Sequence, residues 1–297
     1  MVRVQRLDEV VRSPTGMRES LTLMNVVWGI LVTAGVTAVT VTAMLLVRRR
    51  APEGSYFSDG DRASGVFGVL ATGFSVLLGF IVFLAFTSYD QSRTGAEAEA
   101  LVVTQQVETA QFFPATVGAE LTGELVCYGR SVVNGEWERM EAGSQGDAIN
   151  PWGVELFRTL EGVEPKSASE QSAYDKWFDQ TSAREEARLD RIHGAEGVIP
   201  TPLWIVLFFI SAVIFVFMLF FADSGERVVT QGLLMGAVTA VIVTMLLLLN
   251  FLDNPFHTGV GGLKPVAMER TLRIVNEALG ATDRDVRIPC DDEGNAS

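Results

Sequence analysis

Five residues of one long apolar stretch fall on a single helical face. Thr72, Val76, Phe80, Phe83 and Thr87 recur at steps of four, four, three and four, which a 3.6-residue period places side by side. The face is mildly polar at one end and aromatic in its middle. Repeated around an axis by several copies of a chain, such a face can line an ion pathway whose apolar ring gates by expelling water. The same stretch carries Gly65, Gly68, Gly73 and Gly79 with Ser75, and small residues of this kind also let helices pack closely in a membrane. The spacing suits both uses.

Few other residues could do chemistry. Nucleotide-binding, zinc-protease and serine-hydrolase motifs are absent. His193 and His257 stand alone, with no cluster of metal ligands around them, so neither a metal nor a cofactor is expected. Cys127 and Cys290 are too few for a disulfide framework, and the expectation is two unlinked thiols. Asp253, Asn254, Pro255 and Phe256 form a candidate membrane-exit turn: proline ends a helix, and the two polar side chains can satisfy its last backbone groups. With no catalytic constellation in view, the chain is not read as an enzyme.

Helices that cross a bilayer must position these residues. The chain has 297 residues and a net charge of −13, but four stretches contain no Asp, Glu, Lys or Arg: Ser20–Val47, Ala63–Tyr89, Gly197–Ala222 and Val228–Leu252. Each exceeds the roughly 20 residues that span the hydrocarbon at about 1.5 Å per residue. The expected fold class is an all-α membrane protein with four transmembrane helices and a helical extramembrane domain inserted between spans 2 and 3. The expected order is an N-terminal amphipathic segment (1–19), the first span (20–47), a basic loop (48–62), the second span (63–89), an acidic helical domain (90–196), the third span (197–222), a short turn (223–227), the fourth span (228–252) and a C-terminal tail with one helix (253–297). Gly232, Gly236 and Ala240 give the fourth span a small-residue packing seam. A single soluble globule is excluded. Spans without ionisable residues also argue against a proton relay, a voltage sensor or an intramembrane protease.

The segment 90–196 holds 20 acidic and 9 basic residues, a balance that argues against nucleic acid as a partner. The second span is expected to continue into it until Pro114 stops the helix. A helix over 115–141 follows, with Leu121, Leu125, Tyr128 and Val132 on one apolar set and Val126, Val133, Trp137 and Met140 on another. Tyr128 and Trp137 are the expected core aromatics. Helices over 152–160 and 169–192 complete the domain, and Arg184, Glu185, Glu186, Arg188 and Asp190 read as a solvent face of the second of these. In the tail, 266–279 reads as a helix and 285–297 as frayed.

An ordered set of these residues resembles the bacterial bestrophin-like domain family from about Asn25 to Leu272. It runs from Leu78-Gly79-Phe80 through Tyr89-Asp90-Gln91 and the Glu97/Glu99 region to Tyr128, Val132-Val133, Glu136-Trp137 and Met140. Arg184 and Arg188-Leu189 follow, then Pro202-Leu203-Trp204 at the start of the third span, and Leu252-Asp253 with Pro255-Phe256 at the end of the fourth. Bestrophins are pentameric anion channels with four-span protomers and a helical cytosolic domain. A glycine-phenylalanine step on their second span lies in a hydrophobic neck. The resemblance implies a neck at Thr72, Val76 and Phe80, of which Phe80 keeps the aromatic while Thr72 and Val76 depart from it. Asn254-Pro255-Phe256 is similar to the bestrophin turn after the fourth span. The calcium-binding acidic run that follows it there is missing, since no acid occurs here until Glu269.

The resemblance thus implies a multi-pass protein of the cell membrane and a homo-oligomer, pentameric by analogy. The lipid bilayer and small ions are its partners, and the termini and acidic domain lie in the cytoplasm. A vestibule of this charge would repel anions, which leaves cations as candidate permeants too. The alternative is a non-conducting scaffold or sensor whose acidic domain docks a partner. It expects Tyr128 and Trp137 at a partner interface, and the Thr72–Phe80 face packed within one protomer.

Overall fold

A computed structural model describes residues 15–53, 56–144, 149–282 and 286–297, with the side chains of 15–25 and 282 excepted. The amphipathic segment expected over 1–19 lies outside the described residues as far as residue 14. The described elements are helices α1 (Thr15–Arg48), α2 (Gly60–Ala110), α3 (Ala115–Arg130), a π-helical turn (Ser131–Glu136), α4 (Trp137–Glu141), α5 (Pro151–Glu161), α6 (Ala168–Ile192), α7 (Thr201–Phe220), α8 (Val228–Asp253) and α9 (Val266–Thr282). They form two compact units, one of residues 1–85, 199–252 and 258–262, the other of 86–198, 253–257 and 263–297.

The first unit is a bundle of α1, the start of α2, α7 and α8, each long and apolar enough to cross a membrane. Two buried hydroxyls inside it bond back to their own helices, Ser211 to the carbonyl of Leu207 and Thr239 to that of Met235, both at 2.8 Å, which satisfies them without a second helix. The small-residue seam of α8 receives α1. A β-carbon on Gly232 would meet Val41 and Met44, and one on Gly236 would meet Thr37 at 3.4 Å. At one end Arg48, the last residue of α1, ties down the turn between α7 and α8 by donating to the carbonyls of Asp223 (2.9 Å), Ser224 (3.0 Å) and Glu226. Phe57 and Phe67 stack beside it on Phe217, with centroids 5.3 and 5.7 Å apart.

The second unit packs the remainder of α2 with α3 to α6 and α9 around Leu121, Leu125, Tyr128, Trp137, Trp152 and Trp177. α2 runs unbroken to Ala110 and turns just before Pro114. The stretch expected as one helix over 115–141 is interrupted at Ser131–Glu136 by a π turn, which inserts one extra residue into the period. Ahead of the insertion Leu121, Leu125, Val126 and Tyr128 are all buried, a broad face that holds both apolar sets, and past it the buried stripe continues at Glu136, Trp137 and Met140. Asn150 caps α5 by accepting from the Trp152 amide at 3.1 Å. Ser167 caps α6 by accepting from that of Glu170 at 3.2 Å.

Three expectations are corrected in this unit. Cys127 and Cys290 are not unlinked thiols; they form a disulfide with Cα atoms 5.8 Å apart. Two cysteines cannot build a framework, but two suffice for one bond when the fold brings α3 and the chain end together. For the same reason the chain end is not frayed over 286–297. Arg130 donates to the carbonyl of Asp291 (2.9 Å), Asn134 to that of Asp292 (3.0 Å) and Trp152 to that of Gly294 (2.7 Å). Gly294 has a φ of 87° and lies against the backbone of Ser131, a position and an approach that only glycine allows. Third, the charged face of α6 is not all solvent-exposed: Arg184 is 1% exposed.

Candidate pore-lining face and charged core of the helical unit

The packed side of α2 is a continuous stripe. Phe74, Leu78, Ile81, Ala85, Ser88, Ser92 and Glu99 are buried, with Gly95 also buried in the same register. Their steps alternate between four and three, the period of a helix–helix seam. Two residues further along a helix lies about 200° around it. Thr72, Val76, Phe80, Phe83 and Thr87 therefore point away from the seam, and all five are exposed. Val76 is 68%, Phe80 61% and Phe83 63% accessible. Side chains added at Gly65, Gly68, Gly73 and Gly79 would meet nothing within 4 Å. These four glycines thus do not serve packing within this chain. Beside the stripe, Phe67, Leu78 and Gly79 of α2, Ile214 of α7, and Val241 and Met245 of α8 line an apolar groove of about 550 Å³.

The exit turn after α8 is part of the helical unit. Asp253 ends the helix, and its Oδ1 accepts from the Val198 amide at 2.7 Å. The Pro255 carbonyl accepts from the Leu263 amide at 2.8 Å. The Phe256 ring meets Trp137 edge-on, with centroids 5.4 Å apart at 80°, and the Trp137 indole donates to the Leu263 carbonyl at 3.3 Å. Asn254 lies at the exposed corner of the turn. Trp137 is 3% exposed and Tyr128 is fully buried.

The centre of the unit is ionic, which the sequence reading did not anticipate. Arg191 of α6 is fully buried. It donates from Nε to Glu99 at 2.5 Å and from Nη2 to Glu136 at 2.6 Å. Arg188 adds a second bridge to Glu136 at 3.2 Å. Glu99 also accepts from the Tyr128 hydroxyl at 2.6 Å. Arg184 lies over the Tyr128 ring at 4.7 Å and donates to Gln106 at 3.0 Å. Arg191 and Arg188 balance Glu99 and Glu136, and Arg184 pairs with Glu185 at 3.2 Å, as buried charges must. Gly95 allows the approach: a β-carbon there would stand 2.5 Å from the Arg191 backbone nitrogen. One signal in the sequence points to this stripe. Ala173, Trp177, Gln180, Arg184, Ala187 and Arg191 recur at steps of four and three, so the arginines extend an apolar face.

These charges set a pH dependence. Burial pushes the Glu136 carboxyl up, but Arg191 and Arg188 outweigh it and hold the group below its ordinary 4.5. Burial, partly opposed by the Thr159 hydrogen bond and reinforced by Glu120 and Glu155, pushes Glu124 up to about 7. The stability that Glu136 contributes is therefore fully present above about 4.5 and lost as the pH falls through its lower folded value. A protonated Glu124 favours the folded state: that contribution is fully present below about 4.5 and lost as the pH rises from there through about 7. Thermal unfolding followed by circular dichroism should thus show a maximum in mildly acidic buffer, with declines on both sides. Glu124→Gln should flatten only the upper decline.

The sequence profile of the Bestrophin-like domain matches residues 34–267. The chain belongs to that family. A bacterial bestrophin homologue from Klebsiella pneumoniae, solved as a point mutant, superposes with a TM-score of 0.61 at 11% identity, covering 86% of this chain and 99% of that one. The homologue from the same organism solved by zinc phasing gives 0.56 at 12%, covering 86% and 98%. A structure described as a membrane protein gives 0.57 at 12%, covering 84% and 98%. No match was found among curated protein sequences. This bestrophin-like chain is thus an all-helical membrane protein that shares the fold of the bacterial homologues across nearly their whole length. The expected fold class stands.

Proposed function

We propose that the chain assembles into a homo-oligomeric, ion-conducting pore lined by α2, with Val76 and Phe80 as its narrow apolar ring. One observation carries this reading. An unbroken membrane-length helix turns one face into its own bundle, while Thr72, Val76, Phe80, Phe83 and Thr87 lie exposed on the other. Apolar rings of this kind gate by dewetting once several copies surround an axis. Family membership supports it, since bestrophins are channels. The scaffold reading expected this face to be packed within one protomer and Tyr128 and Trp137 to be accessible; the exposures above oppose both. Purified protein in planar bilayers should give discrete currents, and native mass measurement in mild detergent should give a ring, pentameric by analogy. A monomer, or no current above empty bilayers in any salt, would overturn the proposal.

Placement in the cell membrane with the termini and helical unit in the cytoplasm follows the bestrophin analogy. One observation favours the opposite sidedness: the Cys127–Cys290 disulfide, a bond that persists in oxidising compartments and is rare in the reducing cytosol. Thiol labelling in intact cells, before and after reductant, separates the two orientations.

A further inference from the structure

A cavity of about 870 Å³ opens in the helical unit between α3, α5 and the chain end. Its lining is charged on balance toward the negative: Glu120, Glu124, Glu155 and Glu293 stand against Arg139 and Arg287. Trp152, Ile149 and Pro289 supply apolar surface. Glu124 differs from the other acids. It is only 6% exposed. Its Oε1 accepts from the Thr159 hydroxyl at 2.8 Å, but its Oε2 is buried without a hydrogen-bond partner. A desolvated carboxylate oxygen with nothing to accept is costly, and such groups in a native fold call for a physical reason.

A bound donor supplies that reason, and the cavity limits what kind. Its volume falls in the range of small-molecule pockets, about 300–1,000 Å³, far above the size of a metal ion. Among the described residues no group of three or more ligating side chains could hold a metal. An anion would meet the surplus of carboxylates. We propose that this cavity binds a small organic cation, an alkylammonium or diamine, whose ammonium group pairs with Glu124 while its methylenes lie along Trp152, Ile149 and Pro289. The chain end forms one wall, and the Cys127–Cys290 bond keeps that wall in place.

Calorimetric titration of the full chain in detergent with putrescine tests the assignment. Saturable binding is expected, tightening as the pH rises through about 7 because the ionised carboxylate is the binding form. Glu124→Gln, which keeps an acceptor for Thr159, should weaken it at least about tenfold. The neutral analogue 1,4-butanediol should not compete. Absence of binding, equal binding by Glu124→Gln, or competition by butanediol would overturn the proposal. Displacement of putrescine by magnesium at equal concentration would do so too, since it would mark diffuse attraction to surface acids. The butanediol and magnesium arms use the unaltered protein, so the test stands even if the variant fails to fold.

Discussion

Phe80→Ala should increase the single-channel current by about tenfold or more, which corresponds to lowering the barrier at the constriction by about 1.4 kcal/mol. The argument starts from exposure. Phe80 is 61% accessible in the chain, so truncating it leaves no cavity in the bundle and should change stability by no more than about 0.5 kcal/mol. A change in current therefore reports on the pathway and not on folding. In a ring of copies each phenylalanine narrows the lumen and removes water from it, and alanine restores both space and water. Phe209 of α7 is the control, being the same residue type and 66% accessible on another helix. Phe209→Ala should leave the current unchanged. Equal currents from Phe80→Ala and the unaltered protein, or equal effects of the two substitutions, would remove α2 from the pathway.

The largest effect on stability is expected at Arg191. Arg191→Met should destabilise the helical unit by about 3–5 kcal/mol, because it leaves buried carboxylates without their cation. Both partners are enclosed: the Glu99 side chain is 1% and the Glu136 side chain 4% exposed. Arg188 can still answer Glu136 at 3.2 Å, so the uncompensated charge falls on Glu99. That assignment has a consequence of its own. Adding Glu99→Gln to Arg191→Met restores neutrality and keeps an acceptor for the Tyr128 hydroxyl, so the double variant should recover much of the loss. The two substitutions should be strongly non-additive in a double-mutant cycle, read by thermal unfolding in detergent. If the double variant unfolds as readily as Arg191→Met alone, charge balance is not what the cluster contributes.

The amino-acid sequence alone determined the membrane character of this protein. Four uncharged stretches leave a chain no other stable solvent than a bilayer, and that constraint is local. The exposed face of α2 was legible for the same reason: a helical period maps Thr72, Val76, Phe80, Phe83 and Thr87 onto one side whatever surrounds them. What lies opposite such a face is not local, and only the tertiary structure decided whether it packs within the chain. The π turn at Ser131–Glu136 was not legible, because both apolar sets around it fit one continuous helical period. Arg184 and Arg188 were read toward solvent because a charge costs less in water than in a core, and nothing in the local spacing gave Arg191 a partner. Folding reverses that preference when Glu99 and Glu136, 92 and 55 positions away from Arg191, arrive at hydrogen-bond distance. The Cys127–Cys290 bond spans 163 positions, and the cavity around Glu124 draws its walls from three separate parts of the chain. Pairing, burial and enclosure at such separations depend on which segments the whole fold makes neighbours, which no local spacing records.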